Sequence, residues 1–453
     1  MNIKSLLLGS AAALVAVSGA RAADAVVAPE PEPVEYVRVC DVYGAGFYYI
    51  PGTETCLKVS GYFRYDIGAG DGVRNNSING TIVDADGNVT GFNVNRGAWG
   101  LPDVLDKKNP LNDDGSANFN DAWYKRSRFQ LRVDARSETE LGTLRAYLAF
   151  NMQYSAGYQQ GTFFDEDSGN FVNGPSSAMF FDNVIEHAYL ELGGFRVGKT
   201  DSYFSTFTDY TINIIHDDNI VPYGPYDTNQ ISYTYDAGNG FTAGVAVEEG
   251  DFGFNEAGFA VNGVSANGGN SDVENLYTID SYAPHVVAGV GYTAGWGGIK
   301  AVGGYDSNWE NFAAKVRVDA KFSDTFSLFL MGGWADKDDI TVTNPVTGAT
   351  VTFDNAQPNY YGTWGGEWAL WGGGSWQFTP KAQLNVQVAY DDWKDFSAIA
   401  NVDYELVPGL HLQPEVGYLA NFSSDNDNPA AVGSIDGASG SGFNGFVRIQ
   451  RNF

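Results

Sequence analysis

Apolar and polar residues alternate with a period of two along much of this chain, the pattern of strands with one face toward grease and the other toward water. Between Leu57 and Ile67, one face carries Leu57, Val59, Phe63, Tyr65 and Ile67, and the other carries Lys58, Ser60, Tyr62, Arg64 and Asp66. From Arg128 to Arg136, Phe129, Leu131, Val133 and Ala135 alternate with Arg128, Gln130, Arg132, Asp134 and Arg136. The turn Glu138 to Leu141 leads into Leu144, Ala146, Leu148, Phe150 and Met152, set against Thr143, Arg145, Tyr147, Asn151 and Gln153. Further on, Val316, Val318, Ala320 and Phe322 oppose Lys315, Arg317, Asp319 and Lys321, and Leu384, Val386, Val388 and Tyr390 oppose Gln383, Asn385 and Gln387. Long amphipathic helical stretches are hard to find, and no apolar run approaches the roughly 20 residues of a spanning helix.

A soluble β-sandwich would alternate in the same way, so connection length has to decide. Tight turns at Gly193-Gly194, Ser323 to Thr325, Pro380-Lys381 and Pro408-Gly409 alternate with long loops of Gly, Asn and Asp, the asymmetry of a barrel in lipid. Hairpin counting predicts sixteen strands, near Leu57, Phe129, Leu144, Val184, Phe195, Gln230, Phe241, Val286, Ile299, Phe312, Phe326, Trp364, Gln383, Ile399, Leu410 and Phe443. An even number lets the first and last strands pair antiparallel and leaves no edge, which hydrocarbon demands. Leu276 to Tyr282 reads as a strand but would break the parity, so it is assigned to the long loop or to the strand after it. Pro414 is placed at a bulge. Trp364 and Trp368 are assigned to one end of an outward face and Trp376 and Phe378 to the other; about twelve steps of 3.3 Å at a tilt of about 40° span roughly 30 Å, the height of an apolar band between aromatic borders. The expected fold is therefore all-β, a transmembrane antiparallel β-barrel of sixteen strands with long extracellular loops.

The start of the chain reads as a secretory signal: Lys4, an apolar run from Leu6 to Val17, and a cleavage site at Ala20-Arg21-Ala22. Its loss would take two positive charges and no acid from a chain whose formal net charge is −29. Met1 to Ala22 is thus expected to be a signal peptide, Ala23 to Cys56 a periplasmic N-terminal segment, and Leu57 to Phe453 the barrel. Cys40 and Cys56 are the only cysteines in an exported chain, which makes a disulfide the expectation over free thiols or a metal site, with about 3 kcal/mol of stabilisation for a loop this short. Two cysteines with no nearby histidine make a poor zinc site.

Composition excludes several function classes. Against 56 Gly, 26 Tyr, 29 Phe and 10 Trp stand 4 His, and His187, His216, His285 and His411 are far apart with no Gly-x-Ser-x-Gly elbow, so no enzyme is expected. No cofactor or metal is expected either. Gly372-Gly373-Gly374 lacks the Lys-Ser/Thr of a phosphate cradle, and Asp84-Ala85-Asp86-Gly87-Asn88 lacks the late glutamate of a calcium loop. A chain this acidic is not expected to bind nucleic acid.

The stretch Cys40 to Asp66, CDVYGAGFYYIPGTETCLKVSGYFRYD, resembles the N-terminal signature of the alphaproteobacterial porin family of outer-membrane general porins; Phe195-Arg-Val-Gly-Lys-Thr200 and Phe443 to Phe453 look similar to it too. The resemblance implies a barrel of sixteen strands, a homotrimer, passive diffusion of small hydrophilic solutes and ions, and a third extracellular loop folded into the lumen as a constriction. Outer-membrane lipids and lipopolysaccharide are then the expected surroundings. The last strand sets Phe443, Val447, Ile449 and Phe453 against Asn444, Arg448, Gln450 and Asn452, and its terminal Phe453 resembles the signal read by the barrel-assembly machinery.

If the polar faces line water, Arg64, Arg128, Arg132, Arg136, Arg145, Arg317 and Arg448 form a basic pore wall. Lys199 to Asn229 is too long for a turn, and its Asp209, Asp217 and Asp218 are assigned to the constriction loop, acid facing base. Glu248, Glu249, Asp251, Glu256, Asp272 and Glu274 are expected to concentrate cations at the mouth, so interior and loops compete over ion selectivity, with a lean toward weak cation preference. The rival to a channel is a non-conducting structural barrel or adhesin, which requires the loops to plug the lumen.

Overall fold

The computed structural model describes residues 38–70, 76–83, 89–96, 103–105, 108, 119–121, 123–165, 170–216, 220–250, 279–343, 350–353, 355, 357–422 and 441–453. Sixteen antiparallel strands form the wall: β1 Cys56–Gly70, β2 Tyr124–Thr139, β3 Gly142–Asp165, β4 Asn170–Leu192, β5 Phe195–Asp201, β6 Asp227–Asp236, β7 Phe241–Glu248, β8 His285–Ala294, β9 Gly297–Asp306, β10 Asn311–Ser323, β11 Phe326–Ala335, β12 Trp368–Thr379, β13 Ala382–Asp391, β14 Asp395–Val407, β15 Leu410–Asn421 and β16 Ser441–Asn452. Each pairs with its neighbours in sequence, and β1 pairs with β16 from Tyr62↔Asn452 to Gly70↔Asn444, which closes the sheet without an edge. Every one of the sixteen expected strands is present, the twelfth beginning at Trp368 and not Trp364.

The alternation read from sequence becomes the two faces of the wall. On β10, Asn311, Ala313, Lys315 and Arg317 are buried toward the interior, while Phe312, Ala314, Val316 and Val318 are exposed on the outside. Outward aromatics gather at the two ends of the strands: Trp368 with Tyr390 (5.8 Å between ring centroids) and Tyr418 with Phe443 (4.7 Å) near the long loops, Trp376 with Phe378 (5.8 Å) and Phe322 with Phe326 (5.5 Å) near the tight turns. These are the two girdles of a barrel in lipid.

Two expectations change. Pro414 is not at a bulge: its pairing with Val447 on β16 is in register, and toward β14 the ladder is interrupted between Asn401↔Glu415 and Tyr404↔Leu412 and then resumes without a shift. Proline has removed a hydrogen bond without inserting a residue; the bulge in that hairpin lies at Glu405/Val407. Trp364 belongs to no girdle. It is buried in the lumen against Trp371 (5.5 Å), because the chain from Gln357 to Glu367 folds inward before β12 begins. Of the stretch Leu276 to Tyr282, the described part, Ile279 to Tyr282, lies outside the wall strands, as assigned.

At the tight-turn end, Arg38 to Leu57 forms a small sheet. Val39 bridges Tyr48, and Tyr48↔Leu57 and Tyr49↔Cys56 continue it. The Cys40–Cys56 disulfide crosses it with the Cα atoms 6.0 Å apart. Phe47 is buried under Arg136, whose guanidinium carbon stands 5.1 Å from the ring, so the segment packs on the inward face of β1 and β2.

Candidate pore lining and constriction

Between β5 and β6, Ser202 to Tyr226 turns into the lumen. It starts with a single helical turn, α1 (Tyr203–Phe207), whose cap Ser202 accepts from Phe204 N at 3.2 Å. Glu248 at the end of β7 ties the root down, accepting from Tyr203 N (2.6 Å), Ser202 Oγ (2.8 Å) and Tyr361 Oη (3.1 Å). The wall makes room by leaving out side chains: a Cβ on Gly244 would sit 1.9 Å from Tyr203 Oη, one on Gly289 2.6 Å from the Phe207 ring, and one on Gly304 2.5 Å from the Tyr361 ring. Part of the glycine content is the seat for these rings.

From α1 the loop crosses the interior, and wall side chains hold it by its backbone. Arg317 donates to Tyr210 O. Asn401 (2.7 Å) and Gln413 (2.9 Å) donate to Asn213 O. Glu415 accepts from Ile215 N (2.6 Å) and His216 N (2.9 Å), and Ile215 packs with Tyr124 and Phe446. On the way back Trp371 Nε1 donates to Val221 O (2.9 Å) and Lys315 Nζ to Tyr223 O (2.6 Å). The loop therefore lies along β9 to β16. An apolar cluster of Phe204, Tyr223, Tyr360, Tyr361, Trp364 and Trp371 fills the space behind it. The open side of the lumen is bounded by β1 to β5.

That side carries most of the guanidinium groups. Arg448 and Arg126 share Asp66. Arg136 and Arg145 share Asp134, and Arg145 and Arg196 share Glu191. Arg64, Arg128 and Arg132 are held by carboxamides instead: Gln450 Oε1 (2.7 Å) accepts from Arg64, Gln153 Oε1 (2.9 and 2.6 Å) from Arg128, and Gln130 Oε1 from Arg132. No carboxylate among the described residues comes within ion-pair distance of these three.

All seven arginines expected on the wall face the interior, but they divide into kinds. Arg64, Arg128 and Arg132 are held by neutral carboxamides and form no ion pair; Arg136, Arg145 and Arg448 sit in carboxylate networks; Arg317 is bound to Asp319 and to the loop backbone. Of the acids assigned to the constriction loop, Asp209 pairs with Lys300 of β9 at 2.5 Å, while Asp217 and Asp218 lie outside the described residues. Apart from that pair, the described loop meets the basic wall with carbonyl oxygens, and most carboxylates facing the arginines come from the wall itself. Glu248 is no mouth charge: it is 2% exposed and tethers α1. Asp251, Glu256, Asp272, Glu274 and the Asp84 to Asn88 turn lie outside the described residues. Arg126 and Arg196 also lie on the inward face, where their place in the alternation puts them. Phe453 caps the closure: its N and O exchange hydrogen bonds with Gly61 (3.1 and 3.0 Å), and its ring stacks on Phe129 at 5.6 Å.

A family model described as the porin subfamily matches residues 24–439. Porins named Omp2b from Brucella suis and from Brucella abortus strain 2308 are each 43% identical over 453 residues, covering 100% of both chains. Among solved structures, the outer membrane channel DcaP of Acinetobacter baumannii is similar in fold, with a TM-score of 0.50 at 14% identity over 89% of this chain and 99% of that one.

Proposed function

The chain belongs to the porin subfamily and is an outer-membrane channel for passive diffusion, and from that premise we propose how its interior sorts what passes. Small hydrophilic solutes and ions travel between the loop Ser202 to Tyr226 and the wall of β1 to β5. Arg64, Arg128, Arg132, Arg136, Arg145, Arg317 and Arg448 are the basic lining, and within it Arg64, Arg128 and Arg132 dominate the field because their partners are neutral carboxamides and no carboxylate pairs with them. Asp209, with Asp217 and Asp218, gives the loop its acidic edge. No catalysis is involved. The single observation that carries this reading is the division of the interior: apolar and amide contacts pin the loop to β9 through β16, and Arg64, Arg128 and Arg132 of β1 and β2 line the side it leaves open.

The remaining assignments belong to the same reading. Met1 to Ala22 directs export and is removed; Ala23 to Cys56 stays on the periplasmic side, stapled by Cys40–Cys56; Leu57 to Phe453 is the barrel. The protein works as a homotrimer among outer-membrane lipids and lipopolysaccharide, and the barrel-assembly machinery reads the strand ending at Phe453. Single-channel recording of the refolded protein in a planar bilayer under a salt gradient tests the proposal. Steady openings in steps of three are expected, with a reversal potential that moves toward cations when Arg64 and Arg128 become Gln. A folded but silent barrel would replace this reading with that of a plugged structural protein.

A further inference from the structure

Two successive inward rungs on the same strands differ in one respect. In the upper rung Arg448, Asp66 and Arg126 are Cα partners across β16, β1 and β2. The Asp66 carboxylate stands between the two arginines and binds both, Arg448 Nε at 2.7 Å and Arg126 Nη2 at 2.6 Å. In the next rung toward the tight turns, Gln450, Arg64, Arg128 and Gln153 are aligned across β16, β1, β2 and β3. Two arginines there are directly opposed, an arrangement that weakens a strand pair. Each carboxamide draws its guanidinium to the outer side of the pair: Gln450 takes Arg64 Nε and Gln153 takes Arg128 Nε and Nη2, so the gap between them is held open. Arg132 joins from below, and its guanidinium and that of Arg64 stand 5.6 and 4.4 Å from the Tyr62 ring, which fixes both. The Nη groups of Arg64 and Arg132 and Nη1 of Arg128 meet no acceptor among the described residues.

We propose that this rung is an anion subsite, and that a phosphoryl dianion takes the place that Asp66 fills one rung above. The inference rests on the diffusion-channel reading, since the ligand arrives through the lumen. Opposed Cα atoms lie about 5 Å apart, so one compact group with several terminal oxygens reaches both guanidiniums and Arg132 together. Phosphate matches the guanidinium fork and carries two charges; chloride offers no fork, and a chain dicarboxylate spreads its charges beyond the gap. Free phosphate and a small phosphate ester share this chemistry.

The test compares inorganic phosphate, glycerol phosphate and chloride at constant ionic strength and pH 8, on wild type, on the Arg64→Gln/Arg128→Gln double variant, and on Lys321→Gln, a charge removed at the rim. Saturable block of the chloride current is expected with wild type and Lys321→Gln; the double variant should conduct, with half-saturation raised at least about tenfold, the loss expected for one charge-assisted hydrogen bond or more. Phosphorus-NMR line broadening of the same phosphates by detergent-folded protein reads binding without conduction. Block by inorganic phosphate alone would mark free phosphate as the ligand, and equal block by the ester would mark phosphate esters. Current that falls only in proportion to mobility, with no broadening, overturns the subsite and leaves the channel standing. A silent barrel overturns the channel reading, and the line width then decides the subsite: broadening abolished by the double variant upholds it, and its absence removes it.

Discussion

Glu415 is the tether of the constriction loop at its far end, and removing it should loosen the loop without disturbing the wall. The side chain is 3% exposed on β15 and accepts from Ile215 N at 2.6 Å, His216 N at 2.9 Å and Asn401 Nδ2 at 2.8 Å. Asn401 has a second acceptor in Asn213 O, so the two loop amides lose most in Glu415→Ala. A buried donor left without its acceptor costs about 1–3 kcal/mol, so the two loop amides make local opening of the tip easier by about 2–6 kcal/mol. Each 1.4 kcal/mol is a factor of ten, so hydrogen exchange in a peptide covering Ile212 to His216 should speed up by about one to four powers of ten, with β14 and β15 unchanged as internal reference. Glu415→Gln keeps one acceptor oxygen and should fall about halfway between. Open-channel current noise should rise in the same order. Wild-type exchange and wild-type noise in Glu415→Ala would show that packing of Ile215 on Tyr124 and Phe446, and not the carboxylate, holds the tip.

Two further outcomes follow from other contacts. Gly304→Val places carbon where the Tyr361 ring lies, at a typical overpacking cost of about 1–3 kcal/mol; it should expel that ring with its bond to Glu248 and speed hydrogen exchange at the loop's root, Ser202 to Phe207, and unchanged exchange there would mean that the ring does not hold the root. Tyr43, in the N-terminal segment outside the wall, has its phenol pushed up to about 12 by burial and by its hydrogen bond to Glu138, so the folded segment retains a proton that the unfolded chain releases near 10.0. The resulting stabilisation is complete below pH 10 and is lost as pH climbs toward 12. Carbon-13 NMR of ring-labelled tyrosines, with Tyr43 assigned through Tyr43→Phe, should give a midpoint above that of exposed tyrosines, and a midpoint near 10 would count against the contact.

The wall was legible because lipid leaves little choice. Hydrocarbon outside and water inside impose strict alternation, and the parity needed for closure then fixes the count, so sixteen strands could be placed from sequence. What filled the lumen was hidden by the same chemistry. Trp364 and Trp368 are four residues apart and equally aromatic, yet one lies in the interior against Trp371 and the other on the girdle beside Tyr390, because β12 begins only at Trp368. Glu248 looked like a loop charge, and only the third dimension brings Tyr203 and Tyr361 to it. The arginines show the limit most sharply. Period two states that Arg64, Asp66, Arg126 and Arg128 all point inward, but not which stand side by side. Register alone makes Asp66 the partner of Arg126 and leaves Arg64 facing Arg128. A slip of two residues would keep every side chain on its face, set Asp66 against Arg128 and leave Arg64 opposite Gln130, erasing the opposed pair. The electrostatics of the pore are thus written in strand pairing more than in composition, and this is why a chain with a formal net charge of −29 can present an unbalanced row of positive charge to what passes through it.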